Sequence, residues 1–597
     1  MKKMAKIGVL IRPTFPNSRF LLKFHENLDY YYLYIPTFHL GDLCTMYKQQ
    51  NIPPCVLSLI LISVFGLVAR AADAIPHLEK QGDATRLIVH GKPYLMIAGE
   101  LHNSSSSNLE YMKKVWPKLR QLNLNTVLLP ISWEQFEPEE GKFDDTLVDG
   151  LIRQARENDM KLVFLWFGSW KNGVSSYAPA WVKKDTVRFP RAKGSSNRNT
   201  KDILSTLSES NRDADARAFA ALMRRIRDVD SGENTVIMVQ VENEIGIKPE
   251  LRDMSGEADR LFAENVPKQL MDFLVRNKEH LHPEMLKRWE KSGFATSGSW
   301  NEVFGDSRAA AEIFSTWYYA LYVQHVIQSG KAEYPLPMYV NAWLADQPAS
   351  GTYPSGGPVA HVLDVWRAAA PGVDIYAPDI YLPDFKGVCE EYSRNGSPLL
   401  VPEAHRGEDA AGRAYWVFGK HHGLCFAPFG IESMPEDHPL VDAYALLKQA
   451  MPLIAAAQGT PRMTAVYEQE KQEQHREEEV VALGDWNVIV KYHGDHLPQN
   501  AKPAALIIQS EENAGEFYLI GQGFEIGFGS RVSGPRNTQI LSIDMGRFEE
   551  GRFVPELRLN GDESGANWRA SVPASPDNKL LEPSKPRILR VRVDRFD

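Results

Sequence analysis

The sequence predicts a (β/α)8 TIM barrel followed by a C-terminal all-β, sandwich-like domain. Three observations carry this. From residue 74 to residue 460, short apolar runs alternate with longer helical patterns, as in a parallel sheet covered by helices. Eight such runs fall within that one stretch, the count a closed barrel needs. Beyond Gly459 the chain changes to strand-like alternation broken by turn signals such as Asn560-Gly561.

The candidate barrel strands are 94–99, 126–130, 162–166, 237–241, 338–342, 375–378, 399–402 and 424–427. Helical patterns at 109–122, 146–158, 212–229 and 309–329 lie between them. The long stretch between the fourth and fifth strands predicts an insertion rather than a second domain. The charged run from Glu468 to Glu479 predicts a solvated linker over 461–482. Strands are expected at 486–492, 504–509, 516–528, 538–545 and 588–593, inside a domain spanning 483–597. Packing on the barrel is preferred for this domain over carbohydrate binding, since fold alone does not fix function.

The apolar run 56–68 follows Lys48 and ends in Ala69-Arg70-Ala71. That is the layout of a secretory signal peptide, assigned to 46–71, with translation from Met46 and residues 1–45 a non-native extension. The expected location is therefore periplasmic or extracellular, with no membrane attachment after the signal is removed. Net charge is −9 with no basic face, which argues against a nucleic-acid partner. Four cysteines form no Cys-x-x-Cys pair, and Cys389 and Cys425 are read as separate buried thiols. The sequence leaves oligomeric state open, a homo-oligomer included.

In such barrels functional groups gather at the C-terminal ends of the strands. Those ends carry Glu100 and His102, Trp133 and Glu134, Trp166 and Trp170, and Asn243 and Glu244. They continue with Asn341 and Trp343, Asp379 and Tyr381, and Glu403 and His405. So many carboxylates, amides and aromatics at one rim imply a sugar pocket. Glycosidic bond cleavage needs one carboxyl to protonate the leaving oxygen and another to meet the developing oxocarbenium ion. Glu244 ends the fourth strand and Glu403 the seventh, so a closed barrel sets them across the rim from each other. Strand alternation places Glu242 and Glu244 on the same face and cannot choose between them. Asn243 favours Glu244, because an amide beside the acid suits a sugar hydroxyl.

The stretch Val239-Gln240-Val241-Glu242-Asn243-Glu244-Ile245-Gly246 resembles the acid/base motif of family 35 β-galactosidases, within the clan of retaining (β/α)8 glycosidases. Gly99-Glu100-Leu101-His102 resembles that family's first-strand motif. Asn125-Thr126-Val127, with Trp133 and Glu137-Pro138, resembles its second-strand motif. Asn103-Ser104-Ser105 resembles a bacterial secreted branch linked to removal of galactose from xyloglucan, and family 42 features are also visible. The resemblance implies Glu244 as acid/base, Glu403 as nucleophile and Asn243 as the amide beside the acid. It also implies that Tyr381 hydrogen-bonds the nucleophile. Three positions depart from the family pattern: Asn103, Glu134 and the segment Trp166-Phe167-Gly168-Ser169-Trp170, which lacks the usual acidic motif.

Glu100, Glu134, Trp133 and Trp343 complete the expected substrate contacts, with Trp166 as a further stacking candidate and His102 and His405 as contacts or their supports. No metal and no organic cofactor are expected, because acid/base cleavage needs neither. The pair His421-His422 is not read as a metal site, since adjacent residues make a poor chelate. The rival readings are another β-glycosidase of the same clan, a β-glucosidase or β-mannanase, and a non-catalytic carbohydrate-binding protein.

Overall fold

The computed structural model describes residues 20–26, 29–35, 75–305, 307–345, 351–468, 478–492, 497, 501–559, 569–572 and 585–597. The expected signal peptide lies outside the described residues. The chain divides into two units, Met1–Ala72 and Asp73–Asp597. In the first, Phe20–Glu26 and Asp29–Ile35 pair as an antiparallel hairpin.

The second unit contains the expected barrel. Its strands are Met96–Glu100, Thr126–Ser132, Lys161–Lys171, Val236–Asn243, Met338–Trp343 and Ile375–Ile380, then Leu400–Val401 with Glu403–Ala404, and Cys425–Phe426. All pair in parallel. The seventh strand is broken at Pro402, which has no N–H to give a ladder. Its first half pairs with the eighth strand and its second half with the sixth, and this closes the ring. Inside, Met96, Ala98, Leu128, Val163, Leu165, Tyr339 and Ala377 fill the barrel. Leu87 and Val89, from a three-stranded antiparallel meander (His77–Gln81, Ala84–Val89, Lys92–Tyr94), pack into the same cluster. The sequence reading missed this meander and began the first strand two residues early.

The helices Leu109–Gln121, Thr146–Glu157, Glu209–Asp230 and Ser307–Glu333 cover the sheet where expected. Between the fourth strand and the last of these helices stands the expected insertion, built from short helices such as Pro283–Glu290. Buried Glu312 fastens it. Its carboxylate accepts from Arg288 Nη1 of the insertion at 2.7 Å and lies 3.1 Å from His361 Nε2 beyond the fifth strand.

The C-terminal part is a sandwich of one six-stranded and one four-stranded sheet. Val488, Phe517, Leu519, Phe524, Ile526 and Val591 fill the space between the sheets. The expected linker over 461–482 is corrected here. Met463–Tyr467 is an edge strand of the larger sheet and Glu478–Leu483 a strand of the smaller one. The alternation was hidden beside the charged run. The outer face of the larger sheet shares its apolar core with the barrel through Ala465, Tyr467, Leu506 and Ile520. Gly412 and Gly419, on the helical segment after strand seven, make room for this approach. A Cβ on Gly412 would lie 2.7 Å from Tyr467 Cβ, and one on Gly419 would lie 2.8 Å from Ala465 Cβ.

Candidate active site

The fourth strand reaches the rim in an unusual backbone. Glu242 and Glu244 both adopt left-handed φ values, +63° and +44°. For a residue with a Cβ each costs ~1–3 kcal/mol and persists only where its surroundings enforce it. The two turns cancel the alternation that would have put both carboxyls on one face. Glu242 is turned away from the rim, where its carboxyl accepts the backbone N–H groups of Ser169 at 3.2 Å and Trp170 at 2.7 Å. Asn243 and Glu244 remain at the rim. Asn243 Nδ2 lies 3.5 Å from Glu403 Oε1, and the Glu244 N–H donates to Asn341 Oδ1 at 2.9 Å.

Across the rim, Asp379 and Glu403 are register partners on adjacent parallel strands, so their side chains share a face. Tyr381 Oη donates to Glu403 Oε2 at 2.8 Å, and His405 meets the Tyr381 ring edge-on at 4.9 Å. Asn341 Nδ2 donates to Asp379 Oδ2 at 2.7 Å, so one amide ties both the Glu244 backbone and the Asp379 carboxyl. Carboxyl oxygens of Glu244, Asp379 and Glu403 all lie within 4.8 Å of one another. Retaining glycosidases hold their two carboxyls about 5–5.5 Å apart, whereas inverting ones leave roughly 6.5–9.5 Å for a water. An oxygen-to-oxygen bound of 4.8 Å lies on the short side of that divide.

Glu244 and Glu403 are the accessible members, at 6% and 5% exposure. Burial, then the negative charge of Glu403, pushes the Glu244 carboxyl up to about 7, while Lys171 and Lys248 pull it the other way. Burial, then Glu403 and Glu244, also raises Asp379 well above the carboxylate range. Three carboxylates at this spacing could in principle ligate a hard cation.

Several expected contacts take other places. Glu100 is fully buried, and neither of its oxygens has a protein hydrogen-bond partner. It continues the inward series Met96, Ala98 and has no surface to offer a sugar. Trp133 is also corrected: it is fully buried, with Nε1 donating to Glu137 at 2.7 Å. Trp166 is likewise core and donates to Asp215 at 2.9 Å. Aromatic rings near strand ends fill the layer between sheet and helices as readily as they line a cavity. Glu134 is exposed and pairs with Lys183 at 3.2 Å. Trp343 is half-buried, with Lys248 Nζ 4.0 Å from its ring centroid. His102 is tied through its backbone N–H to Glu432 at 3.1 Å.

Lys171 was missed. Strand three runs on to Lys171, five residues past its expected end, and pairs there with Asn243 after a register shift. The ammonium stands 4.8 Å from the Phe167 ring centroid. Among the described residues it has no ion-pair partner, although its charge acts on Glu100, Glu244 and Asp379. The polar run Trp170-Lys171-Asn172 directly after an apolar strand was the available signal.

Residues 86–292 match the family described as Glycosyl hydrolases family 35. This stretch is similar to family 35 glycosyl hydrolases. It includes Val239–Gly246 around Glu244, and residues 440–570 match a domain of unknown function, DUF5597. A "Beta-galactosidase" of Xanthomonas manihotis is 27% identical over 206 residues, 33% of this chain and 31% of that protein. "Beta-galactosidase 14" of Arabidopsis thaliana is 31% identical over 93 residues, 14% of this chain and 10% of that protein. The chain thus spans less than a third of the length of these relatives. Among solved structures, the β-galactosidase from Bacillus circulans sp. alkalophilus superposes with a TM-score of 0.41 at 13% identity, over 60% of this chain and 57% of that one.

Proposed function

We propose that the protein is an exported, retaining β-galactosidase that removes terminal galactose from plant oligo- or polysaccharides, with xyloglucan side chains as its substrate class. The observation that carries this is the carboxyl pair. Glu244 and Glu403 lie at retaining distance, and the acid member is pushed up to about 7 by burial and by its partner's charge.

In this mechanism Glu403, oriented by Tyr381 and Asn243, attacks the anomeric carbon. The C–O bond to the leaving group breaks as Glu244 gives that oxygen its proton. Esterification removes the charge of Glu403, and the acidity of Glu244 rises. Glu244 then takes a proton from water, which attacks the anomeric carbon and frees Glu403 and the sugar with retained configuration.

A panel of aryl β-glycosides and galactosylated xyloglucan oligosaccharides, followed by NMR, tests the reading. Release of β-galactose as the first product supports it. Preference for a glucoside or mannoside moves the assignment within the clan. No hydrolysis of any β-glycoside returns the protein to carbohydrate binding. Export rests on the apolar run 56–68, and N-terminal sequencing of secreted material checks it.

A further inference from the structure

Glu242 takes no part in the reaction above, yet it adjoins Asn243 and is wholly buried. So is Asp215, on the helix Glu209–Asp230. Asp215 accepts from Trp166 Nε1 at 2.9 Å and Ser169 Oγ at 2.6 Å, with Tyr322 Oη 3.4 Å away. The two carboxyls share Ser169, whose N–H donates to Glu242 and whose hydroxyl donates to Asp215. They close on the same point in space. A Cβ on Gly168 would lie 2.7 Å from Glu242 Oε1 and 2.9 Å from Asp215 Oδ1. Among the described residues neither has a cationic partner.

Two carboxylates in contact, sealed from water and without a counter-ion, cannot both be charged. One proton held between them relieves the repulsion, and it belongs on Glu242. Burial, then the Asp215 charge, raises Glu242 well above the carboxylate range, in agreement with that placement.

The pair also sits where the two strands lose register. Val241 is opposite Trp166, and two residues later Asn243 is opposite Lys171. Phe167 to Trp170 therefore bulge out against the single residue Glu242, whose carboxyl takes up the N–H groups of Ser169 and Trp170 freed by the bulge. This anchor holds the left-handed turn at Glu242 and turns the next two residues towards Glu403 and Asp379.

We propose that Glu242 and Asp215 share one proton and act together as a positioning pair, which locks the bulge of strand three and so sets the acid/base Glu244, with Asn243 and Lys171, in its working geometry. The proposal rests on Glu244 being the acid/base.

The test uses the full chain with Glu242→Ala and Glu242→Gln, measured by thermal melting and by hydrolysis of aryl β-galactosides of varied leaving group. Glu242→Ala frees the bulge and misplaces the acid. Its kcat for poor leaving groups falls about 100-fold, its KM changes little, and dinitrophenyl galactoside is largely spared. Gln keeps the shape and supplies an N–H to Asp215. Glu242→Gln therefore rescues most of the melting temperature and most of the leaving-group dependence lost in Ala. A Gln variant as impaired as Ala overturns the shared proton. A folded Ala variant with unchanged kcat for poor leaving groups overturns the positioning role. Should the unaltered protein cleave no β-galactoside, the proposed function fails on its own. The melting temperatures of Gln against Ala still decide whether the proton is shared.

Discussion

Tyr381 holds Glu403 by a single hydrogen bond, its hydroxyl donating to Oε2 at 2.8 Å, while Asn243 stands at the other oxygen. Hydrogen bonds to a charged acceptor are worth about 1.5–3 kcal/mol. Tyr381→Phe is expected to lower kcat/KM by roughly 10- to 100-fold, with the melting temperature little changed. Glu403→Gln abolishes turnover. Steady-state kinetics on an aryl galactoside separates the two, and near-normal activity of Glu403→Gln removes the nucleophile assignment.

Glu244 must carry its proton to act as the acid. With its carboxyl pushed up to about 7, kcat/KM falls as pH rises through that value. Burial is the largest cause and the Glu403 charge the second. In Glu403→Gln the Glu244 carboxyl should therefore titrate lower than in the native protein, yet still above a free glutamate. Difference infrared titration of that variant reads the shift directly.

Lys171 acts in the opposite sense. Its positive charge favours ionised Glu244. Lys171→Met should raise the Glu244 pKa and move the basic limb of the pH–rate profile to higher pH. Lys171 as a residue is buried, so substrate hydroxyls that reach its ammonium meet a poorly hydrated donor, and KM should rise as well. An unmoved limb would place Lys171 outside the field of the acid.

Glu312 tests the insertion. Burial alone would raise its carboxyl, but His361, Arg288 and Tyr353 outweigh that and hold it down at about 2. The stabilisation is present above the unfolded value of 4.5 and is lost as pH falls towards 2. Glu312→Gln leaves buried Arg288 with only the exposed Glu284 as counter-charge, a loss of up to about 3–5 kcal/mol. Urea unfolding of the variant at neutral pH should show that loss, and native melts between pH 5 and 2 its gradual counterpart.

Gly419→Val pushes a branched side chain against Leu506 and Ala465 where sheet and barrel meet. Overpacking of this kind costs about 1–3 kcal/mol. Calorimetry should show one transition moved downward as a whole, because the two parts share one core. Two separated transitions would mean that barrel and sandwich fold independently.

The barrel was legible because its strands are continuous apolar runs, buried on both faces, and the helices between them keep their period. All eight strands stand where the runs lie. The candidate site was legible in its placement: Glu244, Asn243, Glu403 and Tyr381 were named at strand ends, and the structure gathers them at one rim. It was illegible where the backbone departs from regularity. Alternation could not separate Glu242 from Glu244, because left-handed turns at both undo it. Lys171 was hidden by a bulge whose register no sequence period reveals. Trp133 and Glu100 misled for another reason. A strand end fixes height in the barrel, but not whether neighbouring side chains close over the residue.

The break at Pro402 gives the ring a seam. Leu400–Val401 is stitched to the strand on one side and Glu403–Ala404 to the strand on the other. Glu403 thus rides on a two-residue tab, paired in the ladder with Asp379 and Ile380 and tied on its other side through the Ala404 carbonyl, which accepts from the Phe429 N–H at 3.1 Å. The piece of barrel that must hold its shape during turnover therefore runs from the bulge of strand three through strand four to the tab.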